Sequence, residues 1–272
     1  MNMTTITQSH TLSKQVRRSV LIQSKRANVG HIGSALSVVD LLASVYGGVL
    51  RARSATDPDR DRFILSKGHA ALALYCVLHA TGRLSEDVLD SFCADGSALA
   101  THPEHALPWV DFSTGSLGMG LPFAVGAALA ARIQGSSRRT FVLLSDAECD
   151  EGSLWEAVML AAHHRLGNMI ALVDVNGQQA LGYTRDVLDL EPLSARWEAF
   201  GWDVHEVNGH DATALAGTME SLAGAPAKPH VLLARTTFGK GVSYMENTIA
   251  WHYLPMSDDQ YAQALSELEE DS

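Results

Sequence analysis

The sequence predicts an α/β fold in which a parallel sheet is flanked by helices. Three observations predict it. Residues 140–144 and 169–173 are compact, uniformly apolar runs, as in strands covered on both faces. Between them, Leu154, Val158, Ala162 and Leu166 recur at four-residue spacing and predict a helix over 153–166. Strand, helix and strand in that order form the crossover unit of a parallel sheet.

The other elements follow in chain order. Val16, Val20, Leu21 and Ile22 form the apolar stripe of a first helix over 11–27, with Lys14, Arg17 and Arg18 on its polar face. A-N-V-G-H-I-G-S breaks it, and a second helix is expected over 35–46. The charged loop R-S-A-T-D-P-D-R-D-R leads to a short strand at 63–65. S-K-G-H-A-A opens a third helix that runs past His79 toward Gly82. A loop with T-H-P-E and S-T-G-S-L-G-M-G precedes an alanine-rich helix ending near Ile133. Gly167 is the expected C-cap of the helix over 153–166. A helix closing at 197–200, the strands in W-D-V-H-E-V and H-V-L-L-A-R-T, and a last helix opened by the capping box S-D-D-Q at Ser257 complete the chain. No repeat or long linker divides it, so residues 1–272 read as one domain.

Composition narrows the function. A net charge of −11 argues against nucleic acid, which needs a basic face. The longest apolar stretch, near Leu121 to Ala131, falls short of the roughly 20 residues that span a bilayer, and the N-terminus has no apolar signal core. Cys76, Cys93 and Cys149 are odd in number and form no C-x-x-C pair, as expected of reduced thiols in the cytoplasm.

The chemistry concentrates in V-L-L-S-D-A-E-C-D-E-G, where four acids follow an apolar strand. Asp146 lies just past that strand, and Asn176 just past the next, about thirty residues later. Ligands of parallel sheets bind beyond the carboxyl ends of strands, and one right-handed crossover would set these two oxygens side by side. A carboxylate, a carboxamide and a backbone carbonyl make a hard but incomplete cage, which suits magnesium on a diphosphate. The alternative is that both are turn and cap residues.

The motifs resemble one family. Strand, S-D-A, about thirty residues and Asn is similar to the thiamine-diphosphate fingerprint, which usually reads G-D-G. D-R-F-I-L-S-K-G-H-A, T-H-P-E, S-T-G-S-L-G-M-G, L-G-N-M-I-A-L-V-D-V-N and F-G-K-G-V-S-Y-M-E-N resemble the N-terminal half of transketolase, in order and over nearly the whole chain. The resemblance implies a thiamine-diphosphate-binding (diphosphate, or PP) domain, with magnesium held by Asp146, Asn176 and the carbonyl of Gln178. It places Gly115, Ser116 and Leu117 against the aminopyrimidine ring, and Ala147 beside the diphosphate. It implies that His69 and His252 contact the diphosphate, and that His31 and His102 face substrate hydroxyls. Imidazole suits such proton traffic because its pKa is near neutral. Glu151 and Glu156 match acids near a dimer interface, with solvated charge at a helix N-terminus as their alternative. For Glu148 and Asp150 the solvated reading is preferred. His163 and His164, adjacent on a helix, point to different faces and read as structural.

Two departures stand out: S-D-A for G-D-G, where the extra methyl group is expected to weaken cofactor binding at most, and H-I-G for the family's H-P-G, which puts ordinary pentose-phosphate substrates in doubt. Full-length transketolases add a pyrimidine-binding domain, with the glutamate that ionises the cofactor, and a C-terminal domain. Neither is legible here. The resemblance therefore implies the diphosphate-binding subunit of a split enzyme, in an α2β2 assembly, that moves a two-carbon ketol unit from a ketose to an aldehyde-type acceptor. A decarboxylating α-keto acid enzyme and a non-catalytic regulatory subunit remain the alternatives.

Overall fold

The computed structural model describes residues 3–222 and 227–270. The N-terminal part supplies α1 (Met3–Ala27), α2 (Ile32–Ser37), α3 (Val39–Ser44), β1 (Arg62–Leu65), α4 (Ala71–Ala80) and the single-turn α5 (Glu86–Leu89). The middle holds α6 (Gly120–Ile133), β2 (Thr140–Ser145), α7 (Gly152–His163) and β3 (Met169–Val175). A small hairpin, β4 (Gln178–Gln179) and β5 (Gly182–Tyr183), comes next, followed by α8 (Thr184–Val187) and α9 (Leu193–Ala199). The chain then forms β6 (Asp203–Asn208), α10 (Ala212–Ser221), β7 (His230–Arg235) and α11 (Asp258–Glu270).

Five strands make one sheet in the order β1-β2-β3-β7-β6, every pair parallel. Its two faces build two cores, as the period-2 alternation of a strand requires. Phe141, Leu143, Ile170, Leu172 and Leu232 pack with residues of α1, α3, α4 and α10. Val142, Leu144, Ala171, Val173 and Leu233 pack with residues of α6, α7 and α9. The parallel α/β architecture expected from the apolar runs is the one observed.

The differences are local. The first helix begins at Met3 rather than 11, because no glycine or proline interrupts the preceding residues. The expected helix over 35–46 is two helices, broken at Val38 (φ −98°, ψ 0°) and ended by a wide turn over Val45–Val49 that absorbs Gly48 at φ 157°. Gly167 is not the C-cap of α7. The helix closes at His164, and Arg165 takes the left-handed turn at φ 51°. The hairpin β4–β5 had no periodic signal. At the other end, the capping box of α11 forms as expected: Gln260 N–H donates to Ser257 Oγ (3.2 Å) and Ser257 N–H to Gln260 Oε1 (2.9 Å). No helix among the described residues is long and apolar enough to cross a membrane.

Asp40 on α3 joins three elements. It accepts from Arg17 Nη2 of α1 and faces His210 Nδ1 after β6, each at 2.8 Å. Burial pushes its carboxyl up, but the His210 hydrogen bond and the Arg17 charge prevail and hold it at about 2, below the unfolded value of 3.8. The stability this contributes is present above pH 4 and is lost as the pH falls toward 2. It amounts to about 2 kcal/mol over the whole window, and about half is gone by pH 3. Urea unfolding at pH 6 and pH 3 should show a loss about 1 kcal/mol larger in the wild type than in Asp40→Asn, since other carboxylates held low, such as Asp61, lose stability in both proteins.

Candidate active site

The β2–β3 crossover does what its spacing promised. The two strands are adjacent and parallel, with Ser145 opposite Asp174, so Asp146 and Asn176 leave the sheet side by side. Asp146 is buried. Its Oδ2 accepts from Gly177 N–H (2.7 Å), next to Asn176, and its Oδ1 from Ala147 N–H (2.9 Å). Asn176 Oδ1 accepts from Gln178 N–H (2.9 Å), and its Nδ2 donates to Asp174 Oδ2 (2.9 Å). Burial, then the charge of Asp174, pushes the Asp146 carboxyl up to about 7.

Beneath this turn lies an ion pair that the sequence reading did not single out. Lys67 Nζ donates to Asp174 Oδ2 at 2.5 Å, with the two side chains 1% and 0% exposed. The same oxygen accepts from Ser37 Oγ (2.7 Å), and Thr236 Oγ1 donates to the other. The signal was available. In V-D-V-N, Asp174 shares a strand face with Asn176, and in S-K-G-H, Lys67 sits two residues from His69.

Above the strand ends lies a cavity of about 350 Å³. It brings together His31, His69, His102 and His252 with Gly115, Leu117, Ala147, Asn176 and Gln178. The rings of His31, His69 and His252 lie 5.0–5.6 Å apart, centre to centre. His31, the residue that precedes α2, is itself left-handed (φ 62°), and its N–H donates to the His252 carbonyl (3.2 Å), which joins the two loops. Burial, then Lys67 and the neighbouring histidines, holds His69 well below the usual imidazole range. Burial and His31 lower His252 to about 4, and burial and His102 lower His31. These three rings are neutral at pH 7, able to donate through one nitrogen and accept through the other. Gln178 Oε1 and Nε2 and His31 Nδ1 are buried and make no hydrogen bond among the described residues. Buried groups of this kind ask for a polar ligand.

Other candidates fall elsewhere. Asp146 does not line the histidine cavity, but with Asn176, which lines both, it borders a second cavity of about 260 Å³. Ser116, Glu151 and Glu156 are exposed and do not line the histidine cavity. His163 and His164 lie against each other at the end of α7, away from it. Glu148 corrects its reading as a solvated acid. It is 0% exposed and accepts from Gly118 N–H (2.8 Å), Ser66 Oγ and Ser145 N–H (3.4 Å). The chain turns inward through a 3₁₀ turn, Ala147–Asp150, before α7 starts, so this acid points into the protein. It pins the S-L-G-M loop, where Gly118 has φ +81° and a Cβ would lie 2.5 Å from Ser153 Oγ. Asp150 is half-buried and accepts from Gln179 Nε2 (3.2 Å). The S-D-A change has a local account. Ser145 Oγ accepts from Glu148 N–H (3.1 Å), and Ala147 is not among the residues with positive φ, so no glycine is required there.

Residues 9–271 match the family profile described as transketolase, thiamine diphosphate binding domain. The chain belongs to the transketolase family. It is 41% identical to an apulose-4-phosphate transketolase subunit of Actinobacillus succinogenes, over 95% of each chain. It is 36% identical to a 6-deoxy-6-sulfo-D-fructose transketolase subunit of a Clostridium species, over 94% of each. Among solved structures, the transketolase of Campylobacter jejuni superposes with a TM-score of 0.88 at 29% identity, covering 99% of this chain and 43% of that one. A Pichia stipitis transketolase mutant gives 0.90 at 30% identity, covering 97% and 41%. The chain thus spans about two fifths of the solved transketolases it matches.

The buried ion pair of this transketolase domain gives a direct test. Lys67→Met leaves Asp174 charged and uncompensated, an expected loss of about 3–5 kcal/mol in urea unfolding. Adding Asp174→Asn should restore part of it.

Proposed function

We propose that this chain is the thiamine-diphosphate-binding subunit of a two-subunit transketolase. With its partner it moves a two-carbon ketol unit from a ketose donor to an aldehyde-type acceptor. The observation that carries the reading is the four-histidine cavity set directly over the Asp146–Asn176 turn. The near-equal length of the relatives named as subunits supports the split arrangement.

The residues fit the cofactor and a magnesium ion. Asp146, Asn176 and the Gln178 carbonyl offer hard oxygens, and a divalent cation there would offset the repulsion between the Asp146 and Asp174 carboxylates. Unpartnered polar atoms of Gln178 and His31 face the same region. Bound thiamine diphosphate supplies the electron sink for the two-carbon carbanion. The chain supplies the rest of its half of the site. Lys67, Asp174 and Ser37 fix Asn176. His69 and His252 offer neutral imidazole donors to the diphosphate. His31 and His102 hydrogen-bond the donor's hydroxyls and pass protons to and from them. Glu148 holds the loop of Gly115, Ser116 and Leu117 against the pyrimidine ring through Gly118.

The partner chain contributes the pyrimidine-binding and C-terminal domains, with the glutamate that ionises the cofactor, in an α2β2 complex. Exposed apolar side chains suit its docking. Met119 just before α6, Phe123 on it, Met159 and Leu160 on α7, and Leu181 and Tyr253 near the cavity are each more than a third exposed. Glu151 precedes α7 and Glu156 lies in its N-terminal half. We place the complex in the cytoplasm.

The reading is tested in the complex of this chain with its partner. Ketol transfer that requires both chains and thiamine diphosphate is the expected result. Its absence with every ketose donor, in a complex that retains the cofactor, overturns the reading. Asp146→Ala and Asn176→Ala should each lower the rate at least about 100-fold. Native mass spectrometry of the same variants should show the cofactor lost and the complex intact.

A further inference from the structure

The opposite end of the sheet carries a second group of ligating side chains. Asp203 opens β6, His205 follows two residues later, and His230 opens β7 directly opposite Asp203. The i, i+2 spacing and the parallel register send all three to one face of the sheet, the face on which Val207, Leu232 and Ala234 pack. This end lies beyond the amino ends of the strands, away from the histidine cavity at their carboxyl ends.

The three ligand atoms converge. Asp203 Oδ2 is 3.2 Å from His230 Nδ1 and 3.4 Å from His205 Nε2, and the three residues each offer a ligand atom within 4.8 Å of the other two. A tetrahedral zinc ion with bonds of 2.0–2.1 Å has ligands about 3.3 Å apart, which is close to both distances. An ordinary Asp–His pair would account for His230. It accounts less well for His205, whose buried Nε2 makes no hydrogen bond among the described residues and has only the 3.4 Å approach to the same carboxylate oxygen. The His230 side chain is 2% exposed, His205 27% and Asp203 49%. The cluster is therefore walled on one side and open to solvent on the carboxylate side, as an ion and its water require.

We propose that Asp203, His205 and His230 bind a divalent transition-metal ion of the zinc class, with water completing the tetrahedron. Two imidazoles and one carboxylate select zinc, cobalt or nickel over magnesium and calcium, which take oxygen shells. The bound ion joins the edge strand β6 to β7 and stabilises that edge of the sheet without touching the proposed active site.

The test is a zinc titration of the full chain, free of any affinity tag, by calorimetry. Wild type is compared with His205→Asn and Asp203→Asn, each checked for native circular dichroism. The histidine cavity gives a background that all three share. Wild type should bind one more equivalent of zinc than either variant, or bind that equivalent at least about tenfold more tightly. A zinc-soaked crystal should show an anomalous peak within about 2.3 Å of His205 Nε2 and His230 Nδ1. Equal stoichiometry and affinity in all three proteins overturns the proposal. So does an anomalous map with no peak between β6 and β7, a result that holds even if the variants fail to fold.

Discussion

The proposed active site depends on the pairing of Lys67 with Asp174. A lysine and an aspartate with essentially no exposure are tolerable only together, since either alone would be a buried charge. Their pairing fixes more than two side chains. Lys67 comes from the turn after β1, Asp174 from β3, Ser37 from α2 and Thr236 from the segment after β7. Four separate pieces of chain meet on one carboxylate. Asn176 is oriented because its amide donates to that carboxylate, and Asp146 is perturbed first by its own burial and then by the charge of the same carboxylate. The ion pair thus orders the floor of the cavity, and Lys67 itself lines it.

A second buried acid does the same for the opposite wall. Glu148 ties the end of β2 to the loop that enters α6 and to Ser66 beside Lys67. The two acids share a logic. Each lies beside a sheet carboxyl end and collects donors from loops that would otherwise be independent. Preorganisation of this kind moves the cost of ordering the loops from the moment of binding to the moment of folding.

The legibility of the sequence followed the range of the forces involved. Strands β2 and β3 and helix α7 were readable because burial imposes a period on neighbouring residues. The Asp146–Asn176 pair was readable because one crossover has a narrow length. The capping box at Ser257 was readable because its partners are three residues apart. Lys67 and Asp174 were not singled out. They are 107 residues apart in the chain, and a polar residue inside an apolar run gives no sign of which distant residue answers it. Glu148 is illegible for a related reason. Among four acids in six residues, composition suggests solvent, and only the inward 3₁₀ turn distinguishes the one that is buried. The histidines converge from four loops, and their shared cavity was expected from family resemblance rather than from any local pattern.

The edge strand β6 shapes how the molecule meets others of its kind. An open parallel sheet ends in unpaired backbone groups that could recruit another strand. Here the outer strand carries Asp203, His205, Glu206 and Asn208 among its six residues, and none of the six is fully buried. A second chain approaching in register would bring like charges opposite one another and strip water from each. The opposite edge, β1, has only four residues and offers a short template. Growth of the sheet into fibres is therefore discouraged at both margins, so crowding at high concentration is directed away from strand addition.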